Sequence, residues 1–423
     1  MSHAVVIGAG VIGVCSAVAL LRDGWTVTIL DPGPAGGAQS ASYGNGAWLS
    51  PSSVVPMALP GLWRRVPGYL LDRTGPLTIR PRAALVPWVA QFMLAGATVP
   101  RVERTARALR ALVGDAPARH RALADAAGVP GMVAQRGLLY AYPNRAAFVA
   151  EALAWRLRHD NGVRWQELEG AALFQAEPAL GRQYTFGVLV MDGAHCTDPG
   201  GYVAALAAHA VAHGARVETG RATGFMIDAG RLSAVHTTTG TIPCTAAVVA
   251  AGAWSATLAR QLGNRVPLQS ERGYHVTIDP GDAPMPRLPL MPSDGKMSVT
   301  LLDGRRLRVA GQVELAGLHD APDWRRAEIL RAWAHRLFPQ LAPDCPAERW
   351  MGHRPSIADG LPVIGPARHC AHVVHAFGHG HVGLASGPVT GQLVADLLAG
   401  RTPVIDPAPY RPGRFRRGVR RTI

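Results

Sequence analysis

Residues 3–13 read HAVVIGAGVIG, and this stretch decides the fold. A β-branched run predicts a strand, Gly8, Gly10 and Gly13 fall in the GxGxxG spacing, and the helical CSAVALLRDG follows. A second strand, TVTIL, then ends in Asp31. Strand, glycine turn, helix, strand and terminal acid make a dinucleotide-binding unit. Gly8 allows the tight turn, Gly10 lets the backbone approach a pyrophosphate, and Gly13 lets the helix pack closely on the strand. Asp31 is placed to accept hydrogen bonds from the adenosine ribose hydroxyls, which disfavours NADP with its ribose phosphate. The unit alone leaves NAD and FAD both open.

The segments outward from this unit favour a long, extended ligand. Residues 36–53, GGAQSASYGNGAWLSPSS, are a loop of small polar residues in which Ser40, Ser42 and Asn45 are candidate donors along the phosphates and ribityl chain of FAD. Residues 195–205 lead into a helix, and the strand AAVVAAGAWS brings Ala251 and Gly252 where a chain would pass close to a ligand, with Trp254 beside them as a cover. From 266 to 344 short runs such as YHVTI and RLRVAG alternate with turn signals such as PGD and SDG, the pattern of antiparallel strands, before a helix over 323–338. HVVHAF then predicts a strand, GHGHVGLASGP a glycine-rich turn with Gly380, His381 and Gly383, and VTGQLVADLLAG a helix ending at Gly400. A helix N-terminus of this kind suits negative charge, such as that of a reduced flavin at its N1 and C2 carbonyl edge.

A chain of 423 residues is long for one core, and 48% hydrophobic with 17% charged residues is the composition of a folded protein. The formal charge is +14, almost all of it arginine, since Lys296 is the one lysine. The final YRPGRFRRGVRRTI carries Arg411, Arg414, Arg416, Arg417, Arg420 and Arg421 and no acid. A solvated tail is the plain reading of it, attraction to a lipid surface the sharper one, and nucleic acid is not an expected partner. The five cysteines, Cys15, Cys196, Cys244, Cys345 and Cys370, form no CxxC pair, which argues against a zinc ribbon or a disulfide scaffold and suits a reducing compartment. No stretch reaches the roughly 20 apolar residues of a spanning helix. The nearest, residues 83–97, is interrupted by Pro87 and Gln91 and reads as a packed helix, with a membrane-surface patch as the alternative.

In MGHRPSIADGLPVIG, residues 351–365, Arg354 stands immediately before Pro355, which restricts its backbone to extended conformations and so limits where the guanidinium can point. An ion pair with Asp359 is the purely structural reading of that arginine. Taken in order, VVIGAGVIG, SASYGNGAWLSPS, GPLTIRPR, VVAAGAWS, ERGYHV, MGHRPSIADGLPVIG and GHGHVGLASGPVTG resemble the FAD-dependent amino acid oxidoreductase family that includes D-amino acid oxidase, glycine oxidase, sarcosine oxidase and bacterial D-amino acid dehydrogenase. GPLTIRPR and ERGYH look most like the dehydrogenase branch.

The resemblance implies an α/β plus α+β fold, a Rossmann-like FAD-binding domain interleaved with an antiparallel-sheet substrate domain. The expected division is 1–50, 195–265 and 346–405 for FAD, 51–194 and 266–345 for the substrate or cap domain, and 406–423 for a basic C-terminal tail. It also implies that Arg354 binds the substrate carboxylate in a two-bond fork, with Tyr274 as a second contact or pocket wall and His275 as a further candidate. His379 and His381 are candidates to line the pocket. Gly352 stands where single-chain sarcosine oxidases carry a flavin-bonded cysteine, and Lys296 is the one lysine available, which argues for non-covalent FAD and against sarcosine oxidation.

The activity implied is oxidation of a D-amino acid, or of a related cyclic or secondary amino acid such as a hydroxyproline, by hydride transfer from the alpha carbon to flavin N5. Hydrolysis of the imine would give the 2-oxo acid. A quinone or other carrier is the expected electron acceptor, and the expected place is the cytoplasm, or the inner face of the cell membrane as a peripheral protein. The alternatives are a glycine or small-amine oxidase of the same family that releases hydrogen peroxide, and a non-catalytic nucleotide-binding protein.

Overall fold

The computed structural model describes residues 2–415. Residues His3–Ile7 (β1) and Thr26–Asp31 (β2), joined by the helix Val11–Arg22 (α1), lie side by side in a six-stranded sheet. Its order is Arg216–Thr219, β2, β1, Ala246–Val249, Val373–Phe377 and Val363–Pro366; the first five strands are parallel and the last is antiparallel. Parallel strands buried on both faces need continuous apolar runs, and β1 and Ala246–Val249 supply them, with four buried positions each. The chain turns outward in opposite directions from β1 and from Ala246–Val249, so the glycine turn sits at the switch point where such sheets bind ligands. A Cβ at Gly8, whose φ is +114°, would lie 2.4 Å from the carbonyl oxygen of Ala250, the residue just after that neighbouring strand.

Between the parts of this sheet, in sequence, comes a second sheet of nine strands. Its core is the antiparallel set Ala347–Ile357, Leu268–Ile278, Arg306–Leu315 and Ser298–Leu302, with the helix Arg325–Leu337 packed on one face through Ala327, Leu330, Ala334 and Leu337. The strand Ala347–Ile357, which the sequence reading groups with the nucleotide-binding part, pairs along its whole length with Leu268–Ile278. Arg354 therefore belongs to the larger sheet. A meander of three strands, Ala222–Asp228, Arg231–Thr237 and Gly240–Pro243, forms a separate small sheet beside the nucleotide sheet.

The described start of the C-terminal tail differs from a solvated segment. Tyr410 is fully buried and its hydroxyl donates to the Ala108 carbonyl at 2.7 Å, while Arg414 pairs with Asp359 at 2.7 Å and donates to the Leu361 carbonyl. An aromatic ring and one ion pair dock it on the body. Arg416, Arg417, Arg420 and Arg421 lie outside the described residues.

Candidate active site

The two sheets share one cavity of about 1180 Å³. Sites for drug-sized ligands span roughly 300–1,000 Å³, so the space suits an extended cofactor together with a small substrate. Gly8, Gly10, Asp31, Ser40, Ser42 and Asn45 line its nucleotide end. Ala251, Gly252, Trp254, Gly380, His381 and Gly383 line it further along. Gly13 lies behind, where a Cβ would sit 1.9 Å from the Gly8 carbonyl oxygen, so its work is to let α1 touch the turn.

Hydrogen bonds within the chain fix the shape of the turn. Asp31 accepts from the backbone N–H of Ala9 at 2.8 Å and of Gly33 at 2.9 Å, which ties the end of β2 to the glycine turn. A carboxylate offers about four acceptor positions, so capacity remains for ribose hydroxyls. The N–H of Val11 donates to Ser42 Oγ, and the N–H of Ser42 donates to Ser40 Oγ, both at 3.0 Å, which draws the polar loop over the N-terminus of α1. Asn45 folds its own loop, its Oδ1 accepting from Ala47 N–H at 2.8 Å. Gly252 and Gly380, with φ of +54° and +52°, have open space where a side chain would project, as a cradle for a close ligand requires. The helix Gly383–Ala399 begins at the same cavity with no acid in its first turn.

Arg354 faces the cavity from the other sheet. A bulge makes its seat: the pairing of Leu268–Ile278 with Arg306–Leu315 slips between Arg272 and Tyr274, and Gln312 takes a φ of +58°. Two successive carbonyls then turn toward the guanidinium, Gln312 O accepting from Nη1 at 2.8 Å and Gly311 O from Nη2 at 3.1 Å. Gly273 makes the room, since a Cβ there would lie 2.2 Å from the guanidinium carbon. Asp359 is held by Arg414, so it does not pair with Arg354. Burial pulls the Arg354 pKa below its ordinary value and the nearby Glu271 charge opposes this.

Neither Tyr274 nor His275 lines the cavity. Neighbouring residues on a strand point to opposite faces, and Tyr274 points away with Arg272, its hydroxyl donating to Glu314 at 2.6 Å and accepting from Asp323 N–H at 2.9 Å. Glu314 is fully buried and is also paired with Arg80 at 2.7 Å and Arg272 at 3.5 Å. This ionic cluster braces the bulge from behind. His275 is on the cavity side of its strand but is covered by Trp350, on which it stacks at 5.0 Å and 17°. Burial holds its imidazole down at about 3, so it stays neutral.

The cavity also gathers His379 and His381, both expected there, with residues to which the sequence gives no role. Glu271 lines it beside Gly273, accepting from Ser356 Oγ at 2.9 Å and bonded to His381 Nε2 at 2.8 Å. Burial alone would raise its pKa, but the bond and charge of His381, then Ser356 and Arg354, outweigh this and hold it below the usual carboxylate range. His379 bonds through Nε2 to Thr390 Oγ1 at 3.0 Å, and burial lowers its pKa to about 3. Lys296 lines the cavity too, paired with Glu151. Leu62, Arg65, Val66 and Tyr69 enter from the helix Leu62–Leu71 (α2). All five cysteines are buried and none lines the cavity. Among the described residues no cluster of His, Cys, Asp or Glu could hold a metal ion.

A glycine-turn nucleotide sheet that shares its ligand cavity with a broad antiparallel sheet is the architecture of an FAD-dependent oxidoreductase, and the residues above fit that cofactor. The chain belongs to the DAO family of FAD-dependent oxidoreductases, whose model matches residues 3–397. It is 51% identical to a D-amino-acid oxidase of Bradyrhizobium diazoefficiens over 98% of this chain and 99% of that one. A D-amino acid dehydrogenase 2 of Ralstonia nicotianae is 33% identical over 97% and 99% of the two chains. Among solved structures, glycine oxidase from Geobacillus kaustophilus superposes with a TM-score of 0.73 at 22% identity, covering 98% of this chain and 99% of its own. L-proline dehydrogenase from P. horikoshii gives 0.75 at 18%, covering 98% and 97%. These two share the fold. Family and relatives together make the protein an enzyme of FAD-dependent amino acid oxidation, and its substrate an amino acid.

Proposed function

We propose that the protein oxidises D-amino acids, with the substrate carboxylate held by Arg354. The observation that carries this reading is the seat of Arg354: two carbonyls fix the guanidinium at the cavity while three of its five N–H donors stay available. A carboxylate matches two of those donors in a fork. When bound, FAD supplies the acceptor for the alpha hydride. The chain's own part is positioning: one fixed contact at the carboxylate restricts which face of the alpha carbon is presented, and orientation of this kind lowers a barrier substantially. The D configuration is supported by the names of the relatives at 51% and 33% identity.

Dioxygen is the acceptor we favour, because the relative at 51% identity is named an oxidase while those named dehydrogenases stand at 30–33%. This reverses the quinone preference drawn from the ERGYH and GPLTIRPR motifs. A membrane quinone is favoured by one observation. No residue of α2 is buried, Trp63 and Leu71 are 62% and 83% exposed, and Arg64 and Arg65 lie between them. Such a helix suits peripheral contact with anionic lipid, although no single helix among the described residues is long and apolar enough to cross a membrane.

The test is turnover of a panel of D- and L-amino acids, hydroxyprolines, glycine and N-methyl amino acids, followed by oxygen uptake, peroxide and quinone-analogue reduction. Faster turnover of D than L isomers with stoichiometric peroxide supports the favoured reading. Turnover only with the quinone analogue, together with vesicle binding that Trp63→Ser and Leu71→Ser abolish, supports the second. Preference for L isomers or for glycine refutes the substrate assignment.

A further inference from the structure

We propose that Glu271 receives the α-ammonium of the substrate, so that Glu271 and Arg354 together read the zwitterion. This rests on Arg354 binding the carboxylate. Glu271 and Arg354 are register partners on adjacent antiparallel strands, Leu268–Ile278 and Ala347–Ile357. Directly opposed residues share a face and stand about 4.5–5.5 Å apart at their Cα atoms, and both line the cavity. An amino acid's two charges are separated by a single carbon, so opposed side chains of opposite sign match that spacing.

The two side chains do not satisfy each other. Among the described residues no carboxylate lies within 4.0 Å of the Arg354 guanidinium, whose bonds go to backbone carbonyls, and Glu271 is bonded instead to His381. Had they paired, the site would be closed to a zwitterion. Glu271 is instead held in place by Ser356 from the Arg354 strand and by His381 from the glycine-rich turn, which makes Ser356 and His381 positioning residues. These bonds use two of about four acceptor positions. The Glu271 side chain is only 6% exposed, and a buried carboxylate is costly unless cationic donors surround it. A ligand ammonium completes that set. The ionised state of Glu271, held below the usual carboxylate range by these contacts, is the state such a ligand needs.

The consequence is selectivity for the amine. A plain carboxylate would satisfy Arg354 but leave Glu271 unmatched, and a 2-hydroxy acid would offer it only a neutral O–H donor. The experiment uses the FAD holoenzyme and a matched pair of ligands, D-alanine and propionate, or the corresponding pair for the best substrate. KM is measured for the amino acid, and Kd for the carboxylate is read from the flavin absorbance change. In Glu271→Gln, KM for the amino acid is expected to rise ~10- to 100-fold, the factor carried by a hydrogen bond between charged groups, while Kd for the carboxylate stays within about twofold or falls. Arg354→Leu weakens both ligands. An unchanged KM in Glu271→Gln, or an equal loss for both ligands, overturns the inference.

Propionate binding unaltered by Arg354→Leu would instead refute the carboxylate assignment, and the amine comparison in Glu271→Gln would still be read separately. Should Glu271→Gln fail to retain FAD, Ser356→Ala removes one support of the carboxylate. It is expected to raise KM ~2- to 10-fold with propionate unchanged, and no change or an equal change for both ligands overturns the proposal.

Discussion

Replacing Arg354 by leucine removes the contact proposed to position the substrate, and the size of the expected effect follows from its hydrogen bonds. Two guanidinium N–H groups are engaged by Gln312 O and Gly311 O, which leaves enough donors for a two-bond fork to a carboxylate. Each such charge-assisted bond is worth about 1.5–3 kcal/mol. The pair therefore contributes about 3–6 kcal/mol, and kcat/KM should fall ~10²- to 10⁴-fold. Leucine also leaves two backbone carbonyls without donors, so some thermal stability is lost with it. Arg354→Lys separates the two effects, because it keeps the charge and loses the planar fork, and its loss should be intermediate, ~10- to 100-fold. The assay is anaerobic stopped-flow reduction of the FAD-loaded variants over a range of amino acid concentrations. An Arg354→Leu enzyme that binds FAD and retains its apparent Kd and reduction rate within twofold refutes the carboxylate role.

Tyr274→Phe should leave KM and kcat within about threefold while lowering the melting temperature, because the lost hydroxyl bridges buried Glu314 and the Asp323 amide behind the bulge; a selective KM rise at unchanged stability would return Tyr274 to the pocket wall. Gly13→Ala should yield protein without FAD, since its Cβ would sit 1.9 Å from the Gly8 carbonyl oxygen; a variant with full flavin content contradicts the packing role. Acid stability should fall steeply between pH 6.5 and about 4. Burial holds His120, His195, His275, His353, His375 and His379 at about 3 or 4, below the ordinary 6.5. In that window the unfolded chain binds more protons than the folded one, so stability rises with pH and is lost on acidification. Melting temperatures that are flat from pH 6.5 to 4.5 would show that these imidazoles are protonated in the fold.

The nucleotide half was legible because its chemistry is local. Gly8, Gly10, Gly13 and Asp31 work through backbone conformations and a spacing that one strand, one turn and one helix already determine. The substrate half depends on pairing between distant strands. Tyr274 and His275 look equivalent within ERGYH, yet one lies on the far face and the other lies under Trp350. Alternation along ERGYH does place Glu271 and Gly273 on one face, but what lies opposite them is a matter of register with residues some 80 positions later. The bulge that aims the carbonyls of Gly311 and Gln312 depends on a left-handed Gln312, a conformation its residue type does not announce. The inner face of α2 carries Leu62, Val66 and Tyr69 at helical spacing, but Pro67 and Gly68 inside it read as a turn and hide the helix in the sequence.

Anaerobic mixing of the FAD holoenzyme with single amino acid enantiomers tests the central claim most directly. Loss of the oxidised flavin absorbance with a D-amino acid, and its persistence with the L-enantiomer and with Arg354→Leu, is the expected result. Bleaching by the L-enantiomer alone, by neither, or equally well in the Arg354→Leu holoenzyme would contradict it.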